Sequence, residues 1–246
     1  MEDRKLTVRA VERALDILIC FTKNSELALT EISSLIGLHK STVHRLLATL
    51  EDKGFVVRNP ETEKYRLGLK IWELSMHLSQ SDDPAIRLLP AMEALRDRLG
   101  ETVSLYLRDG AERLRIQAVQ SNQAIRRVAQ VGVRLPLSVG ASSKVLVAFA
   151  PPEDQEELLN APDWPESVDR EAYRKQLAEI LQKGYAISIE EREPGAAAVS
   201  VPIFDRYGKA AAALSMSGPV TRLSAEKLRE YAPVLKEAAR EMGMMM

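Results

Sequence analysis

Apolar residues recur at helical spacing near the start of the chain. Val11, Ala14, Leu15, Leu18 and Ile19 follow the i, i+3, i+4, i+7, i+8 pattern, which predicts a helix over about Thr7 to Phe21 with one buried stripe. After a polar turn, the run from Thr30 to Gly37 predicts a short second helix, with Leu29 or Thr30 near its start and Gly37 as its stop. A third helix is predicted over Lys40 to Asp52, burying Val43, Leu46, Leu47 and Leu50 and ending at Gly54. Two β-prone segments between Phe55 and Leu67 flank Asn59-Pro60-Glu61-Thr62 and predict a hairpin. Helix, helix-turn-helix and hairpin in that order describe a winged helix-turn-helix over residues 1–68.

Ile71, Leu74 and Leu78 predict a further helix from Leu69 to Leu78, followed by a polar stretch to Pro84. We read residues 69–83 as a helical connector and residues 84–246 as a second domain. There, Ile86, Leu89, Met92, Leu95 and Leu99 mark a helix ending at Gly100. Val103, Leu105 and Leu107 alternate with polar neighbours, Asp109-Gly110 gives a turn, and Leu114, Ile116 and Ala118 alternate again, as in an antiparallel hairpin. A Pro/Gly-containing stretch from Gly132 to Gly140 separates this hairpin from helices expected at about Ser142–Phe149 and Arg170–Lys183. Strands are expected at Tyr185–Glu190, Ala198–Pro202 and Lys209–Ser217, and a closing helix carries Leu228, Tyr231, Leu235, Ala238 and Met242 on one face. Antiparallel strands interleaved with helices predict an α+β domain with helices covering one sheet face.

Composition fits two core-forming domains: 246 residues, 46% apolar. The one cysteine, Cys20, excludes a disulfide scaffold, and with three histidines in all no zinc-binding set is assembled. No apolar run approaches the ~20 residues of a membrane span, and Met-Glu-Asp-Arg-Lys lacks the apolar core of a signal peptide, so a cytoplasmic protein is expected. A net charge of −1 argues at first against a nucleic-acid binder.

Charge location reverses that inference. Through Lys70 there are 12 Lys and Arg against 10 Asp and Glu, and beyond it 22 against 25. From Gly37 to Leu50 there is no acid, while Lys40, His44 and Arg45 are present. Opposite the buried stripe of the third helix lie Ser41, His44, Arg45 and Ala48, flanked by Lys40 and Thr42. Small residues let a helix backbone approach bases, Arg and His can donate to guanine edges, and Lys and Ser/Thr can hold phosphates. Thr30 on the second helix and Arg58, Lys64 and Arg66 on the hairpin are further candidate contacts to double-stranded DNA. A polar exposed face is ordinary in any protein; its helix-turn-helix setting gives this one its significance.

The first domain contains Val11-Glu-Arg-Ala-Leu-Asp-Ile-Leu18, Leu29-Thr-Glu-Ile-Ser33, Lys40 through Leu50, and Tyr65-Arg-Leu-Gly68. The second half adds Gly100-Glu-Thr-Val103, Gly132 through Leu137, Lys183-Gly-Tyr-Ala186, Glu193-Pro-Gly195 and Ala213 through Pro219. Together these segments resemble the IclR-type bacterial transcriptional regulators. The resemblance implies a GAF/profilin-like effector domain with an antiparallel sheet, a homodimer or dimer of dimers, and repression or activation of genes, often for catabolism of carboxylic or aromatic acids. It assigns a pocket loop to Gly140 and Ala141 and a serine pair to Ser215 and Ser217, which, two apart on a strand, face the same way. Family members that bind small keto acids carry an acid and a cysteine at positions that fall near Ser188–Ile189 and at Ala198. With Ala196–Ala198 here, a less polar, roomier pocket suited to a larger, partly apolar acid is expected. His39, where the family commonly has proline, is expected to loosen the start of the third helix.

The rival readings are a catalytic or purely protein-interacting second domain. No nucleophile elbow, phosphate loop or His-Glu-x-x-His motif is present. Ser142-Ser143-Lys144 lacks the serine that a Ser-x-x-Lys site needs at the position of Ala141. We therefore expect Ser142 to cap a helix, Lys144 to be solvated, Glu190, Glu191 and Glu193 to form a surface loop, and Cys20 to be a small core residue. No cofactor and no catalysis are expected.

Overall fold

The computed structural model describes residues 7–79 and 83–246. The chain separates into two compact units, the first ending at residue 81 and the second starting at residue 82. Most of the polar stretch read as the boundary lies outside the described residues, as does the side chain of Leu78.

In the first unit, helices α1 (Arg9–Cys20), α2 (Leu29–Ile36) and α3 (Lys40–Asp52) pack around Ile17, Ile32, Val43 and Leu47. A hairpin of β1 (Val56–Arg58) and β2 (Tyr65–Leu67) closes that core with Val56 and Tyr65, in the register Val57↔Arg66. Gly37 takes the left-handed conformation, φ 65°, that ends α2, a geometry open to glycine without strain. The stripe expected of α1 is corrected: Ile17 is fully buried with Phe21, and Ala14 and Leu18 pack partly against them, while Val11, Leu15 and Ile19 are exposed. The helix has two apolar faces, and a spacing pattern cannot tell which one its own core takes. Helix α4 (Leu69–Ser79) follows, with Leu69, Trp72, Leu74 and Met76 exposed.

The second unit is built on one antiparallel sheet with strand order β5-β4-β3-β8-β7-β6. Its strands are β3 (Thr102–Asp109), β4 (Glu112–Val119), β5 (Arg134–Pro136), β6 (Ala186–Ile189), β7 (Ala196–Phe204) and β8 (Ala210–Pro219). Helices α6 (Leu89–Leu99) and α10 (Ala225–Gly243) bury one face against Val103, Leu105, Val199, Val201, Leu214 and Met216. Helices α7 (Ala141–Ala148), α8 (Pro152–Leu159) and α9 (Arg170–Lys183) occupy the other core with Tyr106, Leu137 and Ala213. Helices therefore cover both faces, not one. The central strands show it in near-continuous burial along β3, β7 and β8, the signature of a doubly covered strand rather than of alternation.

The helix expected from Ile86 to Leu99 is two: α5 (Pro84–Arg87) and α6, broken at Leu88. Pro90 has no N–H to donate to the Ile86 carbonyl, so the ladder is interrupted there. Strand β5 and helix α8 were not expected. The former is a three-residue edge strand containing Pro136, and the latter buries only Leu158 and Leu159 and so shows little periodicity. Its signal is at its start, with Pro152 in the first turn followed by Glu153 and Asp154, all suited to a helix N-terminus.

Candidate nucleic-acid interface and sensor cavity

Val43, Leu47 and Leu50 anchor α3 to the core and so turn Ser41, His44, Arg45 and Ala48 to solvent. Lys40 and Thr30 are exposed and Thr42 is half-buried. Among the described residues, the side chains of Lys40, His44, Arg45, Lys64 and Arg66 make no ion pair or hydrogen bond. The face thus presents free donors. Arg58 differs, because its guanidinium pairs with Glu63 at 2.9 Å and lies over the Tyr65 ring. His39 is also corrected. It is the N-cap of α3, its Nδ1 accepting from the Ser41 backbone N–H at 3.3 Å and lying 2.8 Å from the Ser41 hydroxyl. Where the sequence suggested loosening, the imidazole supplies an acceptor for the helix's first turn, and it engages Ser41 on the reading face.

In the second unit the strand register assembles a polar patch. Ser188 lies across from Ala198, Ala198 from Ser217, and Ser217 from Thr102, so these residues share one sheet face. In the adjacent row Ser215 lies between Ser200 and Ser104. That face meets the N-terminus of α7, where Gly140 adopts φ 95° and could not be replaced by a residue with a side chain without strain. Gly140, Ala141, Ser188, Ala198, Ser215 and Ser217 all line one cavity. The sequence reading grouped these six, and the fold brings them together.

The rest of the lining was not anticipated. Tyr106, Arg113, Arg127, Ser142, Arg192 and Glu193 complete the wall together with Ala196 and Ala197. Three arginines against one glutamate make the cavity electropositive, and its volume is only about 50 Å3. The expectation of a roomier, less polar pocket is thus overturned: the three alanines do form one wall, but the arginines opposite set its character. A signal for two buried cations was present in β4. Leu114 and Ile116 face one way, so Arg113 and Arg115 must face the other, and both are buried.

Two further expectations are corrected beside this cavity, while Glu190, Glu191 and Glu193 are exposed, as expected of a surface loop. Ser142 is not a helix cap but a buried residue in the first turn of α7, whose N-cap position is held by Gly140. Lys144 is buried, not solvated, and pairs with Glu191 at 2.6 Å. The other Glu191 oxygen accepts from the Gly140 N–H at 3.2 Å. Glu193 receives both Arg127 and Arg192 at 2.8 Å. The loop between β6 and β7 is therefore tied to the cavity wall through its carboxylates. It is closed at its base by Glu190, which at φ 55° accepts from the Gly195 N–H.

The loop before α7 is held with equal density. The Arg113 Nη1 donates to the carbonyls of Pro136 and Val139, the Ser143 hydroxyl donates to Val139 at 2.6 Å and lies 3.0 Å from the Pro136 carbonyl, and the Tyr173 hydroxyl donates to Leu137 at 2.6 Å. Burial pushes the Tyr173 hydroxyl well above its ordinary value and draws Arg113 down to about 10. Arg113 therefore remains charged at neutral pH.

A winged helix-turn-helix with an acid-free recognition face, joined to a sensor domain with an electropositive cavity, defines the class of ligand-responsive transcriptional regulators. Sequence comparison matches residues 10–60 to the IclR helix-turn-helix domain and residues 77–244 to the Bacterial transcriptional regulator IclR C-terminal domain. The chain belongs to the IclR family. It is 35% identical over 237 residues to the HTH-type transcriptional regulator XynR of Escherichia coli, covering 94% of each chain. It is 33% identical to KdgR of the same organism, covering 98% of this chain and 93% of that one. Among solved structures, an IclR homolog from Microbacterium hydrocarbonoxydans complexed with 4-hydroxybenzoate is similar at a TM-score of 0.83 and 29% identity, covering 96% of this chain and 98% of that one. The protein is a DNA-binding transcriptional regulator with an effector-binding C-terminal domain.

Proposed function

We propose that a small carboxylic or aromatic acid, bound in the cavity beneath the loop between β6 and β7, sets the affinity of this regulator for a pseudo-palindromic operator of catabolic genes. In this reading residues 1–68 bind DNA, 69–83 connect, 84–246 sense the effector, and the protein acts in the cytoplasm as repressor or activator. Lys40, Ser41, Thr42, His44 and Arg45 enter the major groove, while Thr30, Arg58, Lys64 and Arg66 hold the backbone. Gly140, Ala141, Ser188, Ala198, Ser215 and Ser217 contact the effector. The unpaired cations on the exposed face of α3 carry the DNA part of this reading. The 4-hydroxybenzoate complex of the Microbacterium relative supports an acid as effector.

A homodimer presents two α3 helices to successive major grooves about one helical turn apart. Its seam is supported by the exposed apolar residues Val11, Leu15 and Ile19 on α1, with Val8 just before it, and by Leu69, Trp72 and Leu74 on α4, faces that the first unit's own core leaves uncovered. Selection of bound sites from a random duplex pool tests the assignment. A pseudo-palindromic consensus, bound with an affinity that falls steeply as salt rises, is expected. Recovery of no consensus would overturn it.

A further inference from the structure

Arg113 stands apart from the other charges of the cavity. Arg127 and Arg192 share the carboxylate of Glu193, and Lys144 has Glu191, whereas among the described residues no carboxylate pairs with Arg113. Its side chain is 3% exposed, its Nη1 reaches only backbone carbonyls, and its Nε is buried without a partner. A buried guanidinium lacking a counterion is held at a free-energy cost that an anion beside it relieves. The guanidinium also lies against the α7 N-terminus: a Cβ built on Gly140 would come within 3.2 Å of its Nη2. At that N-terminus the Gly140 N–H already holds a carboxylate oxygen, that of Glu191. Helix N-terminus and unpaired cation converge on one wall of the cavity.

We propose that Arg113 receives the effector's carboxylate and makes the cavity select acids over their uncharged analogues. The inference rests on the effector reading above and adds the residue that sets charge specificity. The carboxylate takes the open guanidinium edge beside Gly140, and the rest of the ligand lies along the row of Ser188, Ala198 and Ser217. About 50 Å3 holds only an acid of a few heavy atoms, since a single water needs roughly 10–15 Å3. A larger acid must displace the Glu193 carboxylate, which lines the cavity.

The alternative role for Arg113 is to tie the loop before α7, and binding measurements on the full-length protein separate the two. Calorimetric titration with pyruvate, glyoxylate and 4-hydroxybenzoate identifies the acid that binds most tightly, and the corresponding amide serves as its neutral analogue. Arg113→Gln is expected to weaken the acid at least tenfold and the amide less than threefold. Arg113→Lys keeps the charge but loses the planar fork, and is expected to weaken the acid several-fold with the amide unchanged, which supplies the test if Arg113→Gln does not fold. Equal loss for acid and amide, or acid binding by either variant at wild-type strength, would overturn the proposal. If the wild type binds none of the three acids, the effector reading and this inference fall together; if it binds one and a variant loses acid and amide equally or binds the acid at wild-type strength, this inference falls alone.

Discussion

At the scale of single residues, the proposed DNA-facing and ligand-facing sites follow opposite rules. Lys40, His44 and Arg45 are exposed and unpaired, so their contribution appears only when phosphates or bases arrive. Arg113 and Lys144 are buried, one without a counterion and one with Glu191. Arg45→Ala should weaken binding to the selected operator by about 1–3 kcal/mol and relax preference at one base position, measured by anisotropy titration across single-base variants. Lys64→Ala should weaken all sequences alike and reduce the salt slope by about one. Equal affinity of both variants and wild type would place the reading face elsewhere. At the head of α3, His39→Ala removes the N-cap acceptor and should lower stability by about 0.5–2 kcal/mol in urea unfolding.

At the scale of elements, legibility tracks how much of a segment's burial is one-sided. Helices α2, α3 and α9 each bury a single stripe, and their limits were readable to within a residue or two. Helix α1 buries one apolar face and exposes another, so its existence was readable and its orientation was not. Strands β7 and β8 are covered on both sides, which erases alternation; β3 alternates in sequence, but Thr102, Ser104 and Tyr106 on its other face are buried too, which hid the second layer of helices. The six pocket residues were legible through family motifs, whereas Arg113, Arg127 and Arg192 come to the same cavity only through tertiary packing. The loop from Pro136 to Gly140 shows that packing at its tightest. Tyr173→Phe leaves the Leu137 carbonyl without its donor in a buried setting and should lower stability by about 1–3 kcal/mol in the same assay. An unchanged midpoint would mean the hydrogen bond does not hold the loop.

At the scale of the whole molecule, near-neutral net charge and DNA binding coexist because the acid-free recognition segment is balanced by an acid-rich remainder. That balance keeps sequence-independent affinity low, so occupancy depends on base readout and on the effector. The dimerisation proposed through the exposed faces of α1 and α4 would account for apolar side chains that a monomer would leave in water. Leu15→Asp should shift sedimentation toward the monomer and weaken operator binding by more than tenfold while the far-ultraviolet spectrum stays unchanged; a dimer that survives would move the seam elsewhere. Coupling between cavity and DNA requires that the ligand prefer one arrangement of the dimer, by about 1–3 kcal/mol. The most direct test is a titration of the selected operator with the full-length protein, with and without a saturating acid from the panel of pyruvate, glyoxylate and 4-hydroxybenzoate. At least one acid is expected to change operator affinity by roughly 5–150-fold; an acid that binds the protein yet leaves operator affinity unchanged would contradict effector control of DNA binding.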